Sequence, residues 1–247
     1  KGFVPIEWDE AYDVVINEIK RIQEKYGKNS FAMLSGVSLT NEKSYMVGKF
    51  ARVALKTANL DYNGRLCMVS AGAGNKKAFG MDRSSNSWAD LAHAEVIIIT
   101  GANVSECFPV LTHKIWEARD NGAKLIVIDP RQIPIARTAD IHLPLRPGTD
   151  SALTNTMLKV LIDNNWLDND FINNYTSGFE ETVAAVQECT LEWGEEVTGI
   201  PKELIYKAAE MWGKAKTSFL MHARGIEHHS KGVQNVSSCI NLVLATG

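Results

Sequence analysis

Apolar and polar positions along the chain switch between two periods, and the switches mark the elements. From Trp8 to Tyr26, residues Tyr12, Val15, Ile16, Ile19, Ile22 and Tyr26 recur every three or four positions, the stripe of an amphipathic helix that Gly27 closes. Ser30 to Leu34 predicts a short strand, and Tyr45 to Ala58 returns to helical spacing. The runs Glu95 to Thr100 and Lys124 to Ile128 are almost continuously aliphatic, as expected of strands buried on both faces of a parallel sheet. Between them Pro109 to Asn121, ended by Gly122, predicts a helix, so this stretch is a βαβ unit. Further on, the pattern predicts a strand over Ile141 to Leu145 and a helix over Ala152 to Asn164 that Thr149 and Asp150 can cap. Short helices from Asp168 and Gly178 follow, then Pro201 to Trp212 with proline at the first position, a strand over Ser218 to His222 and a last helix over Val233 to Ala245. The alternation defines the fold class as α/β: mostly parallel sheets with flanking helices in three layers, with Rossmann-like βαβ units. No internal repeat or linker interrupts it, so a boundary would be tight, near Ser84 to Asn86, dividing 1–84 from 85–247.

Composition narrows the function classes. Hydrophobic residues make up 45% and charged residues 22%, which excludes a disordered or fibrous chain. The net charge of −3 is spread along the sequence, so no field gathers nucleic acid or an anionic membrane surface. No apolar run approaches the roughly 20 residues that span a bilayer. The four cysteines, Cys67, Cys107, Cys189 and Cys239, lack CxxC spacing, which argues against a disulfide framework and a self-contained zinc site. A first residue Lys1 and an apolar stripe stopping at Gly247 read as a piece excised from a longer chain.

Three places carry candidate chemistry. At the ends of the βαβ strands, amides of Gly101-Ala102-Asn103-Val104-Ser105-Glu106 could face a phosphate and Asp129 could accept a ribose hydroxyl; Arg131 suits phosphate oxygens. One glycine stands where the dinucleotide fingerprint needs three, so an ordinary nicotinamide site is disfavoured, and Asp129 capping a turn is an equal alternative. Cys67 follows Arg65 and precedes the small-residue run Ser70-Ala71-Gly72-Ala73-Gly74, where backbone could approach a bulky ligand and a helix starts near Ala73. A cation and a helix N-terminus both favour thiolate, the form a nucleophile or soft-metal ligand needs; the alternative is a buried apolar thiol, the reading given to the other three cysteines. The loop His222 to His229 leaves a strand before a helix; its histidine spacing matches no metal template, so it reads as a polar loop facing a ligand. His93, His113 and His142 read as structural, and the tryptophans, including Trp8, Trp88, Trp116 and Trp166, as packing.

Taken in order, several stretches resemble the molybdopterin oxidoreductase superfamily of the dimethyl sulfoxide reductase type. They are Pro5 to Ala11, Gly64 to Met68, Gly101-Ala102-Asn103 with Glu106 and Pro109, Asp129-Pro130-Arg131, Ala139 to Asp150, Gly178 to Glu180, Glu196 to Pro201 and Asn241 to Gly247. The resemblance implies molybdenum carried on two molybdopterin guanine dinucleotides. Cys67 then matches the molybdenum ligand and Asn63 a pterin contact. Thr100, Gly101, Ala102, Asn103 and Glu106, with Asp129, Pro130, Arg131, Gly148, Thr149 and Asp150, match segments that hold one guanine dinucleotide, and Arg224 and His228 touch the cofactor from another loop. The sequence departs from the pattern at His228, where many relatives carry glutamine, and at Phe108, where histidine is common.

Arg65 to Ala71 is similar to the nitrate reductases of the periplasmic and assimilatory types, whereas formate dehydrogenases usually place histidine where Met68 stands. The implied activity is oxygen-atom transfer from nitrate, a small anion, with Met68 shaping the pocket beside Cys67; formate oxidation or another molybdopterin-dependent redox reaction, and a non-catalytic nucleotide-binding module, are the alternatives. The resemblance further implies a 4Fe-4S cluster whose ligands lie outside this chain, an unidentified electron donor, and inactivity and loss of cofactor for the isolated piece. Mild charge and cysteines that look reduced point to the cytoplasm, with a periplasmic parent as the alternative.

Overall fold

The computed structural model describes residues 2–247. Packing divides the chain into two compact units, one ending at Cys67 and one running from Met68 to Gly247. The division falls upstream of the expected 84/85 boundary because the small-residue stretch after Met68 is a helix that packs into the second unit.

In the first unit, α1 (Trp8–Tyr26) stops at Gly27, which takes a positive φ of 89°. Then come β1 (Met33–Ser35), α2 (Asn41–Lys49), a single π-helical turn over Phe50–Ala54, β2 (Leu60–Tyr62) and α3 (Gly64–Cys67). Thr40 caps α2 by accepting from the Lys43 amide, so that helix starts before the expected Tyr45. β1 and β2 pair in parallel, Met33 with Leu60 and Ser35 with Tyr62. β2 was not expected: three half-exposed residues, Leu-Asp-Tyr, carry no period. Buried Gln23 ties α1 to the π turn by donating to the Leu55 carbonyl at 2.8 Å.

The second unit opens with α4 (Val69–Phe79), followed by β3 (Val96–Thr100), α5 (Val104–Cys107), α6 (Pro109–Asp120), β4 (Lys124–Ile128) and β5 (Ile141–Leu143). The remainder is α7 (Asp150–Asp163), α8 (Asn169–Tyr175), α9 (Phe179–Ala185), α10 (Leu191–Thr198), α11 (Lys202–Gly213), β6 (Ser218–His222), α12 (Arg224–Glu227) and α13 (Gly232–Leu244). Pro201 sits at the N-cap of α11, one place before the expected position. Thr149 precedes α7 without capping it; its hydroxyl donates to the Arg146 carbonyl at 2.7 Å.

The strands form one parallel sheet in the order β5-β4-β3-β6. Because side chains alternate along a strand, β3 and β4 feed two separate cores. Val96, Ile98, Ile126 and Ile128 pack with Leu153, Met157, Leu158 and Trp212 of α7 and α11. Ile97, Ile99, Leu125 and Val127 pack with Ile115 and Ala118 of α6 on the other face. Both faces are covered, which is why every residue of β3 is buried and why its sequence shows no alternation. This is the three-layer arrangement the sequence predicts. Trp212 is fully buried, but Trp8 and Trp88 are exposed, against the packing role expected of them.

In the run of small residues after Met68, Gly74 serves packing between helices. At Gly74 a Cβ would stand 2.6 Å from Cγ1 of Val236, so glycine is what lets α13 lie against α4.

Candidate functional site

In an open parallel sheet, ligands sit beyond the carboxyl ends of the strands where the strand order reverses. Here the reversal lies beside β3, whose neighbours are β4 and β6. A crevice of about 320 Å³ opens there, lined among others by Gly101, Asn103, Asp129, Arg131, Asp150 and His229. Gly101 makes it possible: its φ is +56°, and a Cβ would lie 2.7 Å from the Ile226 amide nitrogen and 2.9 Å from the Gly225 carbonyl carbon. The Gly225 amide donates to the Gly101 carbonyl at 2.9 Å, so the loops leaving β3 and β6 touch backbone to backbone.

Two acidic side chains line the crevice and both are buried. Asp129 Oδ1 accepts from the Arg131 amide at 2.8 Å. The turn-capping reading is thus correct for one oxygen, while the residue as a whole still lines the crevice. Burial pushes the Asp150 carboxyl above its ordinary value, and nearby Asp129 pushes it further, against its own backbone amide and His229. His229 Nε2 stands 3.9 Å from Asp150 Oδ2 and can donate to the Gly225 carbonyl at 2.8 Å, tying that loop to the crevice. His142, expected to be structural, bonds through Nε2 to the Asp129 carbonyl at 2.9 Å. Asn103 Oδ1 is buried and has no hydrogen-bond partner.

These residues fit a nucleotide. Two carboxylates can accept from ribose hydroxyls or base N–H groups, the exposed Arg131 guanidinium suits a diphosphate, and the orphaned amide of Asn103 supplies a polar contact that the protein itself leaves unmade.

Of the expected residues, the crevice brings together Gly101, Asn103, Asp129, Pro130, Arg131, Gly148 and Asp150. Thr100, Ala102, Glu106 and Thr149 belong to the same loops but do not line it. Arg224 and His228 do not line it either: the Arg224 guanidinium donates to the Glu227 carboxylate, and the lining histidine is His229. Gly225, Leu145 and Pro147 are lining residues that sequence reasoning missed as site residues, although all three lie in the stretches that carry the resemblance or in the loop singled out after β6.

In the first unit, the candidate residues also follow the carboxyl end of a parallel strand. Asn63 comes directly after β2, its amide donating to the Ser35 carbonyl at 3.0 Å while its own carbonyl accepts from Cys67 at 2.9 Å. Cys67 ends α3 and is partly exposed. The cation expected to support its thiolate is engaged elsewhere, since Arg65 Nε donates to Asp61 Oδ2 at 3.0 Å. Cys239, by contrast, is fully buried, and burial pushes its thiol up to about 12, which makes it inert as a ligand or nucleophile. Cys189 is likewise buried and raised. Among the described residues no group of three or more His, Cys, Asp or Glu gathers as a metal centre, and no helix is long and apolar enough to cross a membrane.

Sheet, crevice and glycine contact define an open parallel α/β unit with a crevice at a reversal of strand order, the place where such sheets present ligands. The chain belongs to the molybdopterin oxidoreductase family, whose profile matches residues 1–247. The family binds molybdenum and a pterin cofactor. The chain is 40% identical over 246 residues to the assimilatory nitrate reductase catalytic subunit of Bacillus subtilis (strain 168), covering 99% of this chain and 35% of that protein. It is 39% identical over 245 residues to F420-dependent formate dehydrogenase 2 subunit alpha of Methanococcus maripaludis, covering 99% and 36%. Acetylene hydratase from Pelobacter acetylenicus has a similar structure, with TM-score 0.75 and 30% identity over 99% of this chain and 33% of that one. The chain therefore spans about a third of the length of the relatives it matches.

Proposed function

We propose that this chain forms part of a molybdenum-dependent nitrate reductase, in which Cys67 is the protein ligand to the metal and the crevice past β3 and β4 holds the guanine end of one molybdopterin guanine dinucleotide. The observation that carries the choice of substrate is Met68 directly after Cys67, in a stretch from Arg65 to Ala71 similar to nitrate reductases. A thioether has no proton to exchange at neutral pH, so this position suits oxygen-atom transfer better than formate oxidation, where the neighbouring residue handles a proton. Bound at Cys67, molybdenum would supply the two-electron chemistry that turns nitrate into nitrite, with electrons arriving through a 4Fe-4S cluster ligated outside this chain.

The chain's own residues bind and orient. Asp129 and Asp150 would accept from the nucleotide's hydroxyl and N–H groups, and Asn103 would make the polar contact it lacks. Arg131 would neutralise a phosphate. Met68 would set the width of the substrate pocket beside the metal.

A second reading, formate oxidation, is favoured by the near-equal identity to the formate dehydrogenase of Methanococcus maripaludis. Turnover of the intact, metal-loaded parent protein with a reduced dye and nitrate, set beside dye reduction with formate, separates the two. Nitrite formation in step with dye oxidation is the expected result; formate-dependent dye reduction without nitrite formation overturns the nitrate assignment. Cys67→Ser should abolish turnover with either substrate and lower the molybdenum content.

A further inference from the structure

We propose that Glu227 is a positioning residue for the metal-ligating segment, clamping the first turn of α4, the helix that starts two residues after Cys67, to the loop that leaves β6. Its functional half rests on the reading of Cys67 given above; the clamp itself does not.

Glu227 is only 2% exposed, and a carboxylate survives such burial only when its partners replace water. It has three. Oε2 accepts from the Ala71 amide at 3.2 Å, Oε1 accepts from the Arg224 guanidinium, and His222 Nδ1, otherwise without a hydrogen-bond partner, lies 3.6 Å from Oε1, where it pairs with the carboxylate when the ring is protonated. Burial pushes the carboxyl up, but His222, Arg224 and the Ala71 amide together outweigh it and keep it below its ordinary value.

The amide it holds is one that a helix cannot satisfy for itself. Ala71 is in the first turn of α4, where N–H groups have no acceptor within the helix. Met68 occupies the N-cap and makes no side-chain cap bond. The cap that a Ser, Thr or Asp would normally supply locally is delivered instead by a carboxylate 156 positions along the chain.

A second contact pins the same turn. At Gly232, the first residue of α13, a Cβ would stand 2.0 Å from the Glu227 carbonyl oxygen and 2.7 Å from Ser70 Oγ. Glycine at 232 is thus what leaves room for the Glu227 carbonyl and the Ser70 hydroxyl to come close to the start of α13. Between the bonded Ala71 amide and Cys67 lie only Met68, Val69 and Ser70. Holding Ala71 therefore limits where the backbone of the metal ligand can go, the role that outer partners of metal ligands commonly have.

Two variants and two readouts test this. Amide hydrogen exchange in the 247-residue chain reads the clamp without any metal. The Mo(V) electron paramagnetic resonance signal of the metal-loaded protein reads its reach to the ligand. In Glu227→Ala the Ala71 amide should exchange roughly tenfold faster or more while β3 stays protected, and the Mo(V) signal should shift or broaden, with kcat falling and KM held. Glu227→Gln keeps the shape and an acceptor without the charge, and should fall between wild type and the alanine variant in both readouts. A fully protected Ala71 amide in Glu227→Ala overturns the proposal. So does a glutamine variant identical to wild type in both measurements, which decides the matter if the alanine variant does not fold. An exchange response with an unchanged Mo(V) signal removes the positioning role, whereas molybdenum retained by Cys67→Ser removes the reading of Cys67 and leaves the exchange result standing.

Discussion

The two units are built from the same alternation of strand and helix but hold together by different means. In the second, β3 is buried along its whole length and each face of the sheet has its own aliphatic core. In the first, two strands of three residues pair only with each other, and among the described residues just Gln23, Ala51, Thr57 and Gly64 are buried. The stripe of α1 that identifies the helix in the sequence, with Tyr12, Val15 and Ile16, is exposed. Periodicity therefore reports that a helix forms and which face is apolar; it does not report what that face packs on. A two-stranded sheet is marginal by itself, so side-chain bonds that tie its elements together, such as Gln23 to the Leu55 carbonyl, matter more there than they would in the larger unit.

The largest expected difference is in opening. Amides of β3 and β4 should exchange about a thousandfold more slowly than those of β1 and β2, because only the former need their unit to unfold. Equal protection in both sheets, measured by hydrogen exchange on the intact chain, would break the comparison.

Core substitution sharpens it. Ile98→Ala removes a fully buried side chain from the α7 and α11 face and should cost about 2–5 kcal/mol in denaturant unfolding. Leu34→Ala, in the middle of β1 but 71% exposed, should cost no more than about 0.5 kcal/mol. A large loss at Leu34 would mean that the first unit has a core these contacts do not reveal.

What was legible in the sequence follows the same divide. β3 and β4 could be read almost to the residue because burial on both faces leaves a nearly unbroken aliphatic run, whereas β6, a partly exposed edge strand, was read from its place between two helices. β2 was illegible because three half-exposed residues carry no signal, and α4 starts at Val69, ahead of the expected Ala73, because its small residues, Gly74 among them making room for Val236 on α13, hide the helical period. The site shows a parallel difference. Loops at strand ends could be placed from the topology rule, which pointed to Gly101 and Asp129, whereas Asp150 read locally only as a helix cap and entered the candidate site through the resemblance. Which of two adjacent histidines faces the crevice depends on one residue of register in the loop after β6, and nothing local decides it; the structure selects His229. Glu227 escaped notice for a similar reason, since its partner Ala71 is remote in the chain.

Glycines give the next smaller contrast. Gly101→Ala places a methyl against the Gly225 and Ile226 backbone at a positive φ, and should destabilise the second unit by about 1–3 kcal/mol and weaken nucleotide binding in the crevice. Gly36→Ala, with nothing within 4 Å of the added carbon, should change thermal stability by no more than about 0.5 kcal/mol. Thermal unfolding of both variants, with guanosine diphosphate titrated into wild type and Gly101→Ala, checks the pair.

The smallest effect is also the one whose sign differs between the units. In the second, burial and then Asp129 leave Asp150 above its ordinary 3.8, so the folded state holds that proton more tightly than the unfolded chain. Its contribution to stability is complete below the unfolded value and is lost as pH rises through the raised folded one. In the first, the Tyr62 amide and then Arg65 hold Asp61 below 3.8, so its contribution is present above that value and is lost as pH falls through the lowered folded one. Denaturant unfolding between about pH 2 and 7 should then show wild type losing ground to Asp150→Asn as pH rises, and losing ground to Asp61→Asn as pH falls. The Asp61 difference should be the weaker, because its pair with Arg65 is exposed and screened. Adding Asp129→Asn should narrow the Asp150 difference by removing the neighbouring charge, and a difference that does not narrow would show that burial alone sets it.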